Sequence, residues 1–277
     1  MIALLLAACG PQPTWWEARE PHVTELVTRG PTPSDVVVGD PPPPPGVERV
    51  VYRTDPELWG WFWPAEDSPW ARDGKVPLVV IVHGGWVFSP SDLTDHAPLH
   101  EAGFHLFAPT VRGENGNPGV HELFYGEVSD AIAAVRWAAA RPGVDPTRIT
   151  TFGHSVGGNI SALLSLVPGL PVEETASISG LYSPDVFDVW ARPFRDTRTE
   201  RRLRRFEPWA ATSMQRPHHA WLATEDPYFH AAADRLWRQQ IPLLTFGMVP
   251  GDHQAGYLAA TRAIRDRLVR RELDRAP

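Results

Sequence analysis

The sequence predicts an α/β fold, a mostly parallel, doubly wound sheet with a short cap insert, on three observations. Residues 77–82 and 104–108 are apolar runs without polar alternation, as strands buried on both faces are. Such runs alternate with stretches of helical period, of which 126–140 is the clearest, with Val128, Ile132, Val135 and Ala139 on one face. Finally, 277 residues, 43% hydrophobic and 21% charged, suffice for a sizeable core and exclude collagen-like, coiled-coil and wholly disordered chains.

Taken in chain order, residues 1–9 form an apolar leader that ends in the single cysteine, Cys9. Ten of the 30 prolines fall in the first 45 residues, including Pro41 to Pro45, so 10–46 reads as a polyproline II tether. Trp15 and Trp16 in that tether offer a contact to the body or to a membrane surface. The body begins at residue 47. Residues 47–53 and 58–63 are strands rich in β-branched and aromatic side chains, with Asp55-Pro56 as the turn between them. Strand 77–82 follows, then a helix over 92–102 closed by Gly103, strand 104–108 ended by Pro109, and helix 126–140 stopped at Pro142-Gly143. A short strand at 148–152 leads into a helix over 156–167 that stops at Pro168-Gly169. Strands at 176–179, 220–224 and 243–249, a helix over 229–240 and a final amphipathic helix over 256–273 complete the body, with Tyr257, Ala260, Ile264 and Leu268 inward.

The net charge of −7 supplies no basic field, so nucleic acid is not an expected partner. A single cysteine excludes an intramolecular disulfide, and no 18-residue apolar run suggests a membrane-spanning helix. The segment Leu6-Ala7-Ala8-Cys9 resembles the lipobox of bacterial lipoproteins, without the usual positive residues before the apolar run. That resemblance implies export to the cell envelope and a membrane anchor through acylated Cys9.

Chemistry concentrates at Gly153-His154-Ser155-Val156-Gly157, which matches the G-x-S-x-G nucleophile elbow. A serine on a sharp strand-to-helix turn projects its hydroxyl above the sheet, and only residues without side chains leave room two positions to either side. The apolar strand before it and the helical pattern after it supply the context the motif needs. Helix N-terminal amides, Val156 first, would stabilise negative charge on a substrate oxygen.

From about residue 47 to 273 the chain resembles the α/β-hydrolase superfamily, in particular the prolyl oligopeptidase catalytic domain and the small serine esterases. The residues that carry this are His83-Gly84-Gly85, the lead Val144-Asp145-Pro146-Thr147-Arg148-Ile149 and the elbow itself. The resemblance implies a serine hydrolase acting on a small ester or short peptide, with an oxyanion hole from Val156 and from Gly85 or Trp86. Trp86 stands where the esterases usually carry a third glycine. The family order nucleophile, acid, base points to Ser155, then Asp226 at the end of a strand, then His253 just past the last strand. Glu225 and Asp252 are rival acids, and His218, His219 and His230 are rival bases in less suitable places.

Other features are read more plainly. His96 and His100 share a helix face at the spacing of zinc ligands, but no H-E-x-x-H arrangement or neighbouring cysteine accompanies them. They read as surface histidines, and no metal is expected. No Walker or G-x-G-x-x-G stretch appears, so no nucleotide cofactor is expected either. The insert at about 181–215 holds Arg192, Arg195, Arg198, Arg201, Arg202, Arg204 and Arg205, against Asp196 and Glu200. It reads either as a solvated, salt-bridged helix or as a lid that favours anionic substrates or lipid. A binding scaffold that keeps the fold without turnover is the alternative of another class. Esters are favoured over peptides, because only 46 residues precede the body, too few for a substrate-filtering propeller.

Overall fold

The computed structural model describes residues 12–24, 27–28, 41–85, 87–182, 194–195, 198–226, 230, 236 and 238–275. Cys9, Trp86, most of the helix expected at 229–240, and Arg192 and Asp196 of the cap lie outside the described residues. The strands are β1 Val27–Thr28, β2 Glu48–Thr54, β3 Glu57–Trp63, β4 Val76–Val82, β5 His105–Pro109, β6 Val144–His154, β7 Glu174–Ile178, β8 Phe194–Arg195, β9 His218–Ala223 and β10 Leu244–Val249. The helices are α1 Trp15–Arg19, α2 Ser91–Thr94, α3 Ala97–Glu101, α4 Gly126–Ala140, α5 Ser155–Leu164, α6 Arg198–Arg204, α7 Pro208–Ala211 and α8 His253–Asp274.

Eight strands form the main sheet in the order β10-β9-β7-β6-β4-β5-β3-β2. The β2–β3 and β3–β5 pairs are antiparallel, and all the others are parallel. The all-buried strand β4 shows why the sheet needs cover on both sides. Leu78, Val80 and Val82 enter one core with α4 and α5, whereas Val79 and Ile81 enter the other with Leu93, Leu99, Ile264 and Leu268. Side chains that alternate between faces turn one apolar run into the seam of two cores.

Three expectations are corrected. The helix expected over 92–102 is two short helices, α2 and α3, interrupted at Asp95–His96. Pro98 explains the break: in the first turn of α3 its missing N–H costs nothing, whereas inside a continuous helix its ring would collide with the carbonyl of Thr94. The last helix starts at His253 instead of residue 256, because the Asp252 carboxylate caps it, accepting from the Gln254 and Ala255 amides at 3.0 and 2.8 Å.

The third correction concerns the tether. Residues 14–19 are a capped helix, with Thr14 and Glu17 forming a reciprocal capping box. Trp15 is 0% exposed and belongs to the core beside Phe206, Ala210 and Met214. Its indole N–H donates to the Leu203 carbonyl at 3.1 Å, and the Arg19 guanidinium lies 4.1 Å from the Tyr125 ring centroid. His22 pairs with Glu200 at 3.1 Å, Arg204 donates to Thr24 Oγ1 at 2.7 Å, and β1 pairs with β8. This part of the segment is therefore a strap over the cap rather than a free spacer. The cap arginines are correspondingly less solvated than expected: Arg204 is 0% exposed beside Glu200, Arg205 pairs with Glu207, and Arg202 lies 4.2 Å from the Trp209 ring centroid.

Candidate active site

Strand β6 delivers Ser155 at the first position of α5, with φ at +53°. A left-handed backbone at a non-glycine residue costs about 1–3 kcal/mol and persists only where the surroundings enforce it. The surroundings here are backbone. A Cβ at Gly153 would sit 2.1 Å from the Gly157 oxygen, and one at Gly157 would sit 1.9 Å from the Val82 oxygen. The two flanking glycines are thus demanded by the closeness of helix, elbow and β4.

Ser155 is 9% exposed and lines a cleft of about 380 Å³ together with Gly84, Gly85, Asp92, Asp95, His253 and Tyr257. His253 Nδ1 lies 2.6 Å from Asp226 Oδ2. Asp226 sits just beyond β9 and His253 just beyond β10, two parallel neighbours, so both reach the carboxyl edge of the sheet near the elbow. The structure thus brings Ser155 and His253 to one cleft and joins His253 to Asp226.

Four of the five rivals have their side chains engaged elsewhere, and Glu225 is exposed. Asp252 caps α8. His218 is 0% exposed, with Nδ1 at 2.8 Å from Thr175 Oγ1 and Nε2 at 2.9 Å from both Ser177 Oγ and Tyr182 OH. Burial, and then the neighbouring His219, push its pKa down to about 3. His219 pairs with Glu174, and His230 lies 2.7 Å from the Ala223 carbonyl. Glu225 donates its amide to the Gly251 carbonyl, which ties the two loops together.

Gly85 has φ at +72°, and a Cβ there would meet nothing within 4 Å. It therefore presents open backbone to the cleft, while Val156 is the second residue of α5. Both also line a smaller cavity of about 20 Å³ with His83, Glu114 and Glu127. Beneath this loop, His83 Nδ1 lies 3.1 Å from the Gly84 carbonyl and Nε2 lies 3.0 Å from Glu114 Oε1. Two acceptors require two ring N–H groups, hence an imidazolium. Burial opposes that charge, but the Glu114 carboxylate overrides it and holds the pKa at about 10. The partner is 31 positions away, so no local pattern marks it in the sequence.

Two acids in the cleft were not anticipated. Asp92 accepts from the Ser89 amide and hydroxyl at 2.7 and 2.9 Å. Asp95 has its pKa raised by burial and then by the Asp92 charge. His96 is corrected from surface to core: it is 0% exposed, 2.7 Å from Tyr257 OH and 3.3 Å from Thr261 Oγ1. Burial, and then His154, push its pKa to about 3. His100 stacks on Trp63 at 4.1 Å. Among the described residues no cluster of His, Cys, Asp and Glu has the arrangement of a metal site.

Solved structures and curated sequences agree with this architecture. A puromycin hydrolase structure superposes with a TM-score of 0.65 at 19% identity, over 84% of this chain and 40% of that one. An esterase from Pyrobaculum calidifontis gives 0.62 at 18% identity, over 82% and 84%. In sequence, carboxylesterase NlhH of Mycobacterium tuberculosis is 34% identical over 110 residues, 38% of this chain and 32% of its own length. The uncharacterised protein Rv2307c of the same organism is 31% identical over 142 residues, 51% of this chain and 46% of its own length. The matched stretches thus span less than half the length of these curated relatives. The family model described as "Alpha/beta hydrolase family" matches residues 79–276, from β4 to the end of α8. With both the sheet order and that match in place, the chain belongs to the alpha/beta hydrolase family.

Proposed function

We propose that this hydrolase is a serine hydrolase that cleaves a small carboxylic ester through an acyl-enzyme on Ser155. The observation that carries the reading is the 2.6 Å contact between His253 Nδ1 and Asp226, on the cleft that also holds Ser155. Ser155 Oγ attacks the acyl carbon while His253 Nε2 takes the hydroxyl proton. Asp226 holds Nδ1–H and stabilises the imidazolium. The amides of Val156 and of Gly85 or Trp86 donate to the negatively charged oxygen of the tetrahedral intermediate. His253 then returns its proton to the leaving alcohol, and a water activated by His253 releases the acid. The backbone strain at Ser155 supports the same reading, because strained residues cluster at sites of chemistry.

Labelling with a fluorophosphonate tests it. The wild type should label at Ser155, and Ser155→Ala should lose the label and about 10⁴-fold or more in kcat. Label on another serine would overturn the assignment. Peptidase action is the second reading, favoured by the likeness to puromycin hydrolase. A short p-nitrophenyl ester should exceed a proline-containing peptide anilide by about 100-fold in kcat/KM, since activated esters need little leaving-group protonation. Comparable values would favour the peptidase.

We further propose that the exported chain is anchored to a membrane through lipid on Cys9, as the Leu6-Ala7-Ala8-Cys9 pattern supports. The wild type should partition into detergent and Cys9→Ser should not.

A further inference from the structure

We infer that His154, the variable residue of the elbow, is a positioning residue that holds the loop of His253 against Ser155 through its ring Nε2–H. The inference rests on the serine-hydrolase reading above. Nε2 of His154 lies 3.2 Å from the main-chain carbonyl of His253. A carbonyl can only accept, so that nitrogen carries the proton. The ring is otherwise enclosed: it stacks on Tyr257 with centroids 4.5 Å apart at 19°, and lies 4.6 Å from the His253 ring. A Cβ at Gly84 would come within 2.9 Å of its Nδ1. One imidazole therefore touches three segments that the proposed chemistry must keep in register. These are the elbow through its own backbone, the glycine loop through Gly84, and the start of α8 through the His253 carbonyl. Tyr257 is fixed in turn by His96 at 2.7 Å. Burial, and then the nearby His253, push the His154 pKa to about 3, so the ring stays neutral and adds no charge to His253.

A hydrogen-bonding role and a packing role make opposite demands on the replacement. Phenylalanine keeps the ring and its stacking on Tyr257 but has no N–H. Glutamine loses the ring but keeps a donor of similar reach. The rate of fluorophosphonate labelling of the full chain, measured across pH, separates them. His154→Phe should lower the plateau rate about tenfold, since small misplacements of reacting groups cost one to two orders of magnitude. His154→Gln should return to within about threefold of wild type, with thermal midpoints reported alongside. Phe labelling as fast as Gln, or faster, would overturn the inference and leave the hydrolase reading standing. No label on the wild type would overturn both. Should His154→Gln fail to fold, His154→Asn replaces it. The ¹⁵N shifts of His154 in the wild type give a readout that needs no variant. A bare Nδ1 and a protonated Nε2 are expected near neutral pH, and the opposite tautomer would overturn the inference.

Discussion

The elbow and the strap are both fixed against the body, but by different means: residues 153–157 are all buried, whereas in 14–24 only Trp15 and Arg19 are. At the elbow the partners are backbone atoms: Gly153, Gly157 and Val82 approach so closely that no side chain fits between them. Residues 14–24 instead hold the cap by side chains that reach across the chain, Trp15 to Leu203, His22 to Glu200 and Thr24 to Arg204. The first arrangement tolerates no added atom. The second is a set of replaceable contacts, each hydrogen bond worth about 0.5–3 kcal/mol. The elbow that carries Ser155 is built from the less negotiable material, while the strap is fastened piece by piece.

Breaking each side measures the contrast. Gly157→Ala should have the largest effect, because a Cβ 1.9 Å from the Val82 oxygen forces strand and helix apart. No labelled, cooperatively folded protein is expected, and a soluble variant that labels at the wild-type rate would defeat the account. Trp15→Ala should follow, at about 4 kcal/mol, the usual cost of emptying a buried indole site. Denaturant melts measure it, and the elbow should still label while the protein is folded. A loss under about 1 kcal/mol would make the strap a passenger.

Acid should come next and act on the sheet side. His96, His154 and His218 are buried with pKa values pushed down to about 3. Their folded values lie below the unfolded value near 6.5, so the unfolded chain binds more protons between those limits. The stability they confer is present above about pH 6.5 and is lost as the pH falls toward 3. Each should contribute about 1 kcal/mol of loss between pH 6.5 and 5.5, or about 3 kcal/mol together. A flat thermal midpoint over that interval would show that these rings are hydrated. The smallest effect is expected from Glu200→Gln, about 2 kcal/mol, since it keeps the shape of the buried side chain but removes the charge facing Arg204 and His22. A wild-type melt for that variant would show that charge is irrelevant to the strap.

Legibility followed the range of the cause. The helix at 126–140 matches α4 residue for residue, because its period and its Pro142-Gly143 stop are local. The helix over 92–102 failed for an equally local reason, Pro98, which starts a new helix and cannot sit inside a continuous one. Of the strap only the Trp15–Trp16 pair hinted at a contact with the body; its partners lie about 100 to 190 positions further along, so no local pattern names them.

The sequence alone determined the elbow and the double-faced sheet, both written in short-range terms, glycine spacing and apolar runs. Asp226 and His253 were reached through the order that the family resemblance implies, at strand ends the sequence marks. Tertiary structure alone decided which carboxylate meets His253. Asp252 is adjacent in sequence, yet it turns to cap α8, while Asp226 arrives from the neighbouring strand at 2.6 Å. It also decided the charge of each histidine. His83 becomes an imidazolium because Glu114 folds against it, whereas His154 and His96 stay neutral because burial removes water from the charged form. Protonation depends on what surrounds a ring in space, and neighbours in space come from segments that the sequence leaves far apart.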